Sequence, residues 1–361
     1  MSKRIQKILS ALLIIGVPVI VIVIGLCSGD LAASWEALQR ARPVFLVCAI
    51  SCYAGYLMGN GLSLIASLRS QGYRFGLGDA FITSCLGQYY SNITPSASGG
   101  QPMQIYRMHK RDIPIAVATS ATVMHFIAYQ IMITVLTTAL GIAYWQYIYD
   151  HLRSYWFILL IGYLINSLSG EGVMMLSCTR RPVRFVLRWI VRLGERFRLL
   201  KDPQATHDKL TQTHDRFYDS MRVMLHHKGL IAWQMLICGL QAVALMSVLY
   251  FVYRALGFYG FTWPFMVAMS FMELISAAYA PMPGASGARE SVFTLYFGQI
   301  FPGSTRIVAL LIWRFISYYL LILIVGGVQM LGGLFGARHR HEAEAFDPAS
   351  DGPDPDLPPS E

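Results

Sequence analysis

The sequence predicts an all-α polytopic membrane protein, built as an inverted repeat of four plus four elements. Three observations lead to this fold class. Of the 361 residues, 55% are apolar and only 14% are charged, whereas soluble domains carry about 25% charged residues. Six apolar stretches are long enough to cross a bilayer, and two shorter ones are interrupted. The net charge of +9 on so apolar a chain indicates anionic lipid headgroups as charged partners, and no nucleic acid.

The six predicted spans each provide the roughly 20 apolar residues that a bilayer crossing needs. The first follows Lys3, Arg4 and Lys7 but lacks a small-residue cleavage site, so we interpret it as a span and not a signal peptide. The predicted spans are 8–27, 44–65 and 115–143 in a first repeat (1–143), and 156–178, 229–253 and 307–334 in a second repeat (156–334).

Two further apolar stretches predict re-entrant hairpins, at 80–109 and 265–299. In each, a short apolar segment runs into a break rich in Pro, Ser and Gly, and a second short helix follows. Half a bilayer is about 15 Å, or about 10 helical residues, so each fragment suits a half-depth helix.

The positive-inside rule supports this layout with both termini in the cytoplasm of a multi-pass cell-membrane protein. If both hairpins return to the side they enter from, cytoplasmic segments hold 22 of the 29 Lys and Arg, and external segments hold 5. The basic insert 179–228 is then cytoplasmic. Its part 180–198 alternates Arg with bulky apolar residues, which is typical of a helix on an anionic inner leaflet. The acidic, Pro-rich tail 335–361 is predicted to be disordered.

The two breaks share a sequence pattern at an offset of 188 residues. Pro95-Ser-Ala-Ser-Gly-Gly-Gln101 and Pro283-Gly-Ala-Ser-Gly-Ala-Arg289 agree at four of seven positions. Each break is preceded by two spans and followed by one, and the second half starts from the opposite face. Inverted repeats with discontinuous helices are typical of transporters. A merely structural pair of kinks is the alternative.

The helix that follows each break begins near mid-membrane, at about Gly100 and Ala288. Helix starts carry unpaired N–H groups and partial positive charge, so two converging starts favour an anion such as phosphate. Hydroxyls there could bind a headgroup or only cap the helices. The candidate substrate-binding residues are Thr94, Ser96, Ser98, Gly99, Gly100, Gln101, Gln104, Ser286, Gly287, Arg289 and Glu290.

Charged residues within membrane segments are functional hypotheses by default. Arg289 is the leading phosphate contact, because a guanidinium meets two oxygens at once. Glu290 could instead stabilise the helix start. Glu171, Glu273 and Arg314 suggest intramembrane charge pairing, as Glu273–Arg314 or Glu290–Arg314, and a proton-coupled carboxylate is the alternative.

No cofactor or metal site is expected. The six cysteines lie in or beside apolar stretches without a C-x-x-C pattern, and no zinc-protease, serine-hydrolase, Walker A or dinucleotide motif occurs. His125, alone in the third span, is interpreted as a hydrogen-bonded core residue.

With its breaks placed, the sequence resembles the lysylphosphatidylglycerol synthase transmembrane family of flippase-like proteins. The resemblance covers about residues 8–334. It depends on Asn92-x-Thr94-Pro95-x-x-x-Gly99, on Pro281-x-Pro283-Gly284-x-x-Gly287-x-x-Glu290, and on Arg314-x-x-x-Tyr318-Tyr319. The family also supplies the membrane half of the bacterial multiple peptide resistance factor. There a soluble aminoacyl-transfer domain follows, whereas this chain continues into the predicted tail, so lysyl transfer is not expected.

The resemblance implies movement of a lipid with a polar head, or of a lipid-linked group, between leaflets. Many relatives have an acidic residue after the first hairpin glycine and an arginine three residues on, but this chain has Gly100-Gln101-Pro102-Met103-Gln104. The expected function is therefore a non-enzymatic lipid translocase of the bacterial inner membrane whose lipid is unspecified. An intramembrane lipid-modifying enzyme using Glu273 or Glu290, and an accessory subunit of an envelope-lipid pathway, are the alternatives.

Overall fold

The computed structural model describes residues 36, 39–178, 216–277, 283–303 and 305–329. Within these ranges the regular structure is helical and no β-strand occurs. A further helical segment covers 216–226. The helices are α1 Pro43–Arg69, α2 Leu77–Ile93, α3 Gly100–His109, α4 Ile115–Ala143, α5 Trp145–Leu152, α6 Trp156–Cys178, α7 Lys228–Ala255, α8 Trp263–Ala277, α9 Ala288–Phe297 and α10 Thr305–Gln329.

Five helical segments are long and apolar enough to cross a membrane, which is consistent with a multi-pass membrane protein. Four of them are α1, α4, α7 and α10, and the fifth is Trp145–Met174, which contains most of α6. The predicted spans 44–65, 115–143, 156–178 and 229–253 lie within the described residues and coincide with long apolar helices, as expected. The predicted span 307–334 is described as far as residue 329, and that part is helical and apolar. The first predicted span, 8–27, lies outside the described residues, as do 180–198 and the tail 335–361.

The segment expected to connect the two predicted repeats, near 145–155, contains α5 and a 3₁₀ turn, Arg153–Tyr155. Ile148 and Leu152 lie one turn apart and are both buried in the main core. An apolar stripe at helical spacing explains the helix, and its aromatic residues suit a membrane interface.

The core is held by close packing rather than by exclusion from water, because lipid tails are as apolar as the side chains. α1 and α7 pack along each other, and Gly59 allows this approach, since a Cβ there would lie 2.9 Å from the Cβ of Gln241. Between α9 and α10, Phe293 stacks on Trp313 with ring centroids 5.3 Å apart. Outward faces are apolar, as at Val135, where a lipid-facing surface is expected.

The end of the basic insert packs onto the helical body. In the segment 216–226, Met221 and Met224 are fully buried against Met124 and Ile127 of α4. The membrane-surface helix predicted further upstream in the insert is outside the described residues. The domain boundaries remain predictions.

Candidate functional site

The two predicted breaks lie against each other. Each contains a 3₁₀ turn, Pro95–Ala97 in the first and Pro283–Ala285 in the second. The two residues after each starting proline take left-handed backbone angles: φ is 52° at Ser96 and 54° at Ala97, and 59° at Gly284 and 50° at Ala285. L-residues other than glycine rarely adopt this conformation. The same strained turn therefore recurs at positions separated by the 188-residue offset.

The predicted hydroxyls of the first break divide between local structure and the cavity. The Thr94 Oγ1 donates to the Tyr90 carbonyl at 2.6 Å and accepts the Gly99 N–H at 2.9 Å. The Ser98 Oγ donates to the Pro95 carbonyl at 3.0 Å. Thr94 thus closes the end of α2, which is the capping alternative. Ser96 makes no side-chain hydrogen bond within the described part of the chain and lines the cavity.

Glycines at the breaks permit close helix contacts. A Cβ at Gly100 would lie 2.0 Å from the Ser91 Oγ, and one at Gly284 would lie 2.1 Å from a ring carbon of Tyr318. Tyr318 in turn donates its hydroxyl to the Asn92 carbonyl at 3.1 Å. The last helix is therefore packed against both breaks.

A cavity of about 640 Å³ lies between the breaks and α1, α2, α3, α4, α6 and α10. This volume is within the roughly 300–1,000 Å³ of small-molecule sites. Of the predicted residues, those in the wall are Ser96, Ser98, Gly100, Gln101, Gln104, Arg289 and Arg314. The predicted residues behind the wall are Thr94, Gly99, Ser286, Gly287, Glu273 and Glu290. The side chain of Glu171 is outside the part of the chain that the structure describes.

Arg289 is held by Glu273 across the second break. Its Nε and Nη2 donate to the two carboxylate oxygens at 2.9 and 2.6 Å. Glu273 keeps 1% exposure and Arg289 keeps 17%, and the guanidinium carbon lies 4.9 Å from the Trp313 ring centroid. The expected free phosphate contact is thus already in a bidentate pair with a buried carboxylate. The Arg289 Nη1 makes no hydrogen bond to another described residue.

Arg314 is paired with Glu290. Its Nε donates to the Glu290 Oε1 at 2.6 Å, and its Nη2 lies 3.2 Å from both the Gly284 carbonyl and the Ser286 Oγ. The other oxygen of Glu290 accepts the Gly287 N–H at 2.6 Å. Glu290 therefore both caps the start of α9 and neutralises Arg314. The alternative Glu273–Arg314 pair does not form in the structure.

The sequence reasoning missed a network of polar side chains on the opposite wall. The Asn60 Oδ1 accepts Ser84 at 2.8 Å and Gln104 at 3.0 Å, and the Asn60 Nδ2 lies 2.7 Å from the His125 Nε2. His125 also lies 2.9 Å from the Ser63 Oγ. His125 is buried and hydrogen-bonded, as expected, and it also lines the cavity.

A second row of polar groups follows α2. Tyr56 donates to the Gln88 Oε1 at 2.8 Å, and the Gln88 Nε2 donates to the Asn92 Oδ1 at 2.9 Å. The available signal was that Asn and Gln occur inside otherwise apolar helices, where each must find a partner. Among the described residues, no three His, Cys, Asp or Glu side chains are grouped so that they could hold a metal ion.

Comparison with known proteins gives two matches. A family model described as the lysylphosphatidylglycerol synthase TM region matches residues 8–326. The chain is also similar to the UPF0104 membrane protein MJ1595 of Methanocaldococcus jannaschii, with 21% identity over 325 residues, covering 82% of this chain and 87% of that protein. The matched range includes both breaks and the whole described cavity wall.

Proposed function

Since the chain belongs to the lysylphosphatidylglycerol synthase TM family, a name that fits a membrane lipid-related role, we propose that it moves a polar-headed lipid between leaflets. The headgroup would occupy the cavity between the breaks while the acyl tails stay in the bilayer. Both glutamates of the enzyme alternative are bound to arginines, and this pairing favours a structural role for them over acid or base work.

The observation that carries this proposal is a polar cavity inside helices whose outer faces are apolar. Polar side chains at membrane depth are costly unless they pair or line a water-filled or ligand-filled space. Here amides, hydroxyls and the arginines of two ion pairs line one volume, whereas the exposed positions of α4 and α6 include Val135, Phe157 and Leu168. A hydrophilic headgroup would find this interior the most favourable place to cross.

We also propose that the hairpins are re-entrant and that the two halves form an inverted repeat. Three similarities at the offset of 188 support this. α3 and α9 each have 10 residues and correspond residue for residue. The 3₁₀ turns correspond as well. The left-handed angles fall at equivalent positions. In such folds, exchanging the conformations of the two halves opens the site to alternate faces.

The test is leaflet exchange in proteoliposomes. Fluorescent lipids in the inner leaflet become accessible to an impermeant quencher only when they are moved. Lipids are then extracted and their masses compared. We expect protein-dependent exchange without a mass change. A changed mass would instead favour the enzyme. The absence of both exchange and a mass change would favour the accessory subunit.

A matched pair of variants ties exchange to the cavity. Glu273→Gln with Arg289→Gln removes both charges of one pair at once, so no buried charge is left uncompensated. We expect slower exchange from this double variant. The control is Glu36→Gln with Arg40→Gln, which removes an exposed pair outside the cavity wall. Equal exchange rates for both double variants and wild type would refute the cavity as the route.

A further inference from the structure

The charged side chains at the cavity compensate each other. Two arginines are in its wall, and each is bound to a glutamate directly behind it. An anionic headgroup could still hydrogen-bond the Arg289 Nη1, but the charge of each guanidinium is already neutralised by a buried carboxylate. A cationic headgroup would find no unpaired carboxylate among the described wall residues. Desolvating either kind of charge without a partner costs several kcal/mol.

The uncharged polar groups are, in contrast, numerous and already oriented. Seven wall residues carry a carboxamide, which presents both a donor and an acceptor. The network through Asn60 and the row through Gln88 fix several of these amides by hydrogen bonds to neighbours. Each amide nitrogen has two donors and each carbonyl two lone pairs, so Gln88, which uses one of each in these bonds, keeps capacity for a ligand. The seven are Asn60, Gln88, Asn92, Gln101, Gln104, Gln130 and Asn166.

Aromatic rings complete this wall. Tyr53, Tyr56, Tyr129 and Tyr318 line the same volume. A polyhydroxylated ring offers alternating hydroxyls that suit amide donors and acceptors, together with C–H faces that pack on aromatic rings. Charge neutrality, oriented amides and aromatic surface together fit such a group better than they fit a phosphate or an ammonium.

We infer that this cavity recognises an uncharged, hydroxyl-rich headgroup, so that the lipid it takes is a glycolipid with a neutral sugar head. The inference depends on the proposed translocase function for the lipid part, and on the cavity wall alone for the hydroxyl chemistry. Gln101 is the residue that best reports on it. Its side chain is exposed in the cavity wall and makes no hydrogen bond to another described residue.

Binding to the purified protein tests the headgroup class. The protein is placed in phosphatidylcholine nanodiscs, because alkyl maltoside detergents carry sugars that would compete. Dioctanoyl lipids are titrated while thermal stabilisation is followed. We expect monoglucosyl-diacylglycerol to bind at least tenfold more tightly than phosphatidic acid. Equal or tighter binding of phosphatidic acid would overturn the inference.

A change of selectivity provides the second measurement. Gln101 and Arg289 are equivalent at the 188-residue offset, so Gln101→Arg places at the first break the residue type found at the second, without a carboxylate partner. A hydrogen bond to a charged group is stronger than one between neutral groups, so we expect phosphatidic acid to bind at least tenfold more tightly to this variant. Unchanged selectivity would contradict the inference. Misfolding cannot imitate a gain of affinity.

The matched control is Gln299→Arg, which adds the same charge at an exposed position outside the cavity wall. An equal gain there would show that general electrostatic attraction, and not the cavity, sets the selectivity, and would also overturn the inference. Competition by methyl glucoside would support the hydroxyl chemistry of the cavity. Tight glycolipid binding without exchange in proteoliposomes would support that chemistry but refute lipid translocation. Tight binding of phosphatidic acid with rapid exchange would support lipid translocation but refute the hydroxyl chemistry.

Discussion

Replacing Glu290 with Gln should leave Arg314 as an uncompensated buried cation. The Arg314 side chain is 3% exposed and that of Glu290 is 11% exposed, and the joining N–O distance is 2.6 Å. Removing one partner of a buried pair costs about 3–5 kcal/mol. The Gln amide oxygen can still accept the Gly287 N–H, so the loss reports on the charge and not on the cap. At about 2 °C per kcal/mol, the melting temperature should fall by roughly 6–10 °C.

The assay is thermal unfolding of the purified protein in nanodiscs, extended to a double-mutant cycle with Arg314→Met. Removing both charges leaves no buried ion, so the double variant should recover part of the loss, with a coupling free energy of about 1–3 kcal/mol. Recovery should be incomplete, because Arg314 also donates toward the Gly284 carbonyl and the Ser286 hydroxyl.

An exposed pair of the same chemistry is the control. Arg40 and Glu36 are 78% and 58% exposed, with an N–O distance of 2.5 Å. Exposed pairs contribute roughly 0.2–1 kcal/mol, so Glu36→Gln should shift melting by 2 °C at most. If Glu290→Gln and Glu36→Gln gave the same small shift, the reasoning that burial makes the Arg314 pair essential would be wrong.

Three further predictions concern the breaks and their surroundings. Gly284→Ala should lower the free energy of unfolding by about 2–4 kcal/mol, because the residue has φ of 59° and its Cβ would strike the Tyr318 ring. The control, Gly76→Ala, has open space around the added Cβ and should leave thermal unfolding unchanged. Asp79→Asn loses two partly exposed arginine partners, and should cost under about 1 kcal/mol with a smaller effect in high salt. Ala97→Cys in a cysteine-free background should react with a small polar thiol reagent, since it lines the cavity, and failure to react in folded protein would contradict a water-accessible site.

The spans and the helix fragments around the breaks could be predicted from sequence because both depend on local composition. An apolar run of about 20 residues is by its length enough to predict a membrane-spanning helix. The break at Pro95 likewise needs only a proline and the small residues that follow it. The span criterion says nothing about α5, because eight residues are too few for a span, and tertiary packing of Ile148 and Leu152 stabilises this helix instead.

The partners of the charges could not be predicted in the same way. Desolvation dictates that the arginine and glutamate residues near the second break must be neutralised, but not in which combination. Glu273 and Arg289 are separated by the break itself, and Glu290 and Arg314 by a whole helix and a loop. Which carboxylate meets which guanidinium depends on how α8, α9 and α10 cross.

The two breaks share a 3₁₀ turn with two left-handed residues, whereas φ is −84° at Gly99 and 87° at the equivalent Gly287. They also differ in chemistry, and this difference bears on the proposed headgroup preference. At the offset of 188, Arg289 corresponds to Gln101 and Glu273 corresponds to Cys85. One ion pair of the second half is therefore replaced by an amide and a thiol in the first. The left-handed turns need only small residues and a proline, so they permit either set of side chains. Headgroup preference is consequently expected to depend on a few substitutions at equivalent positions, while the strained turns that form the cavity stay the same.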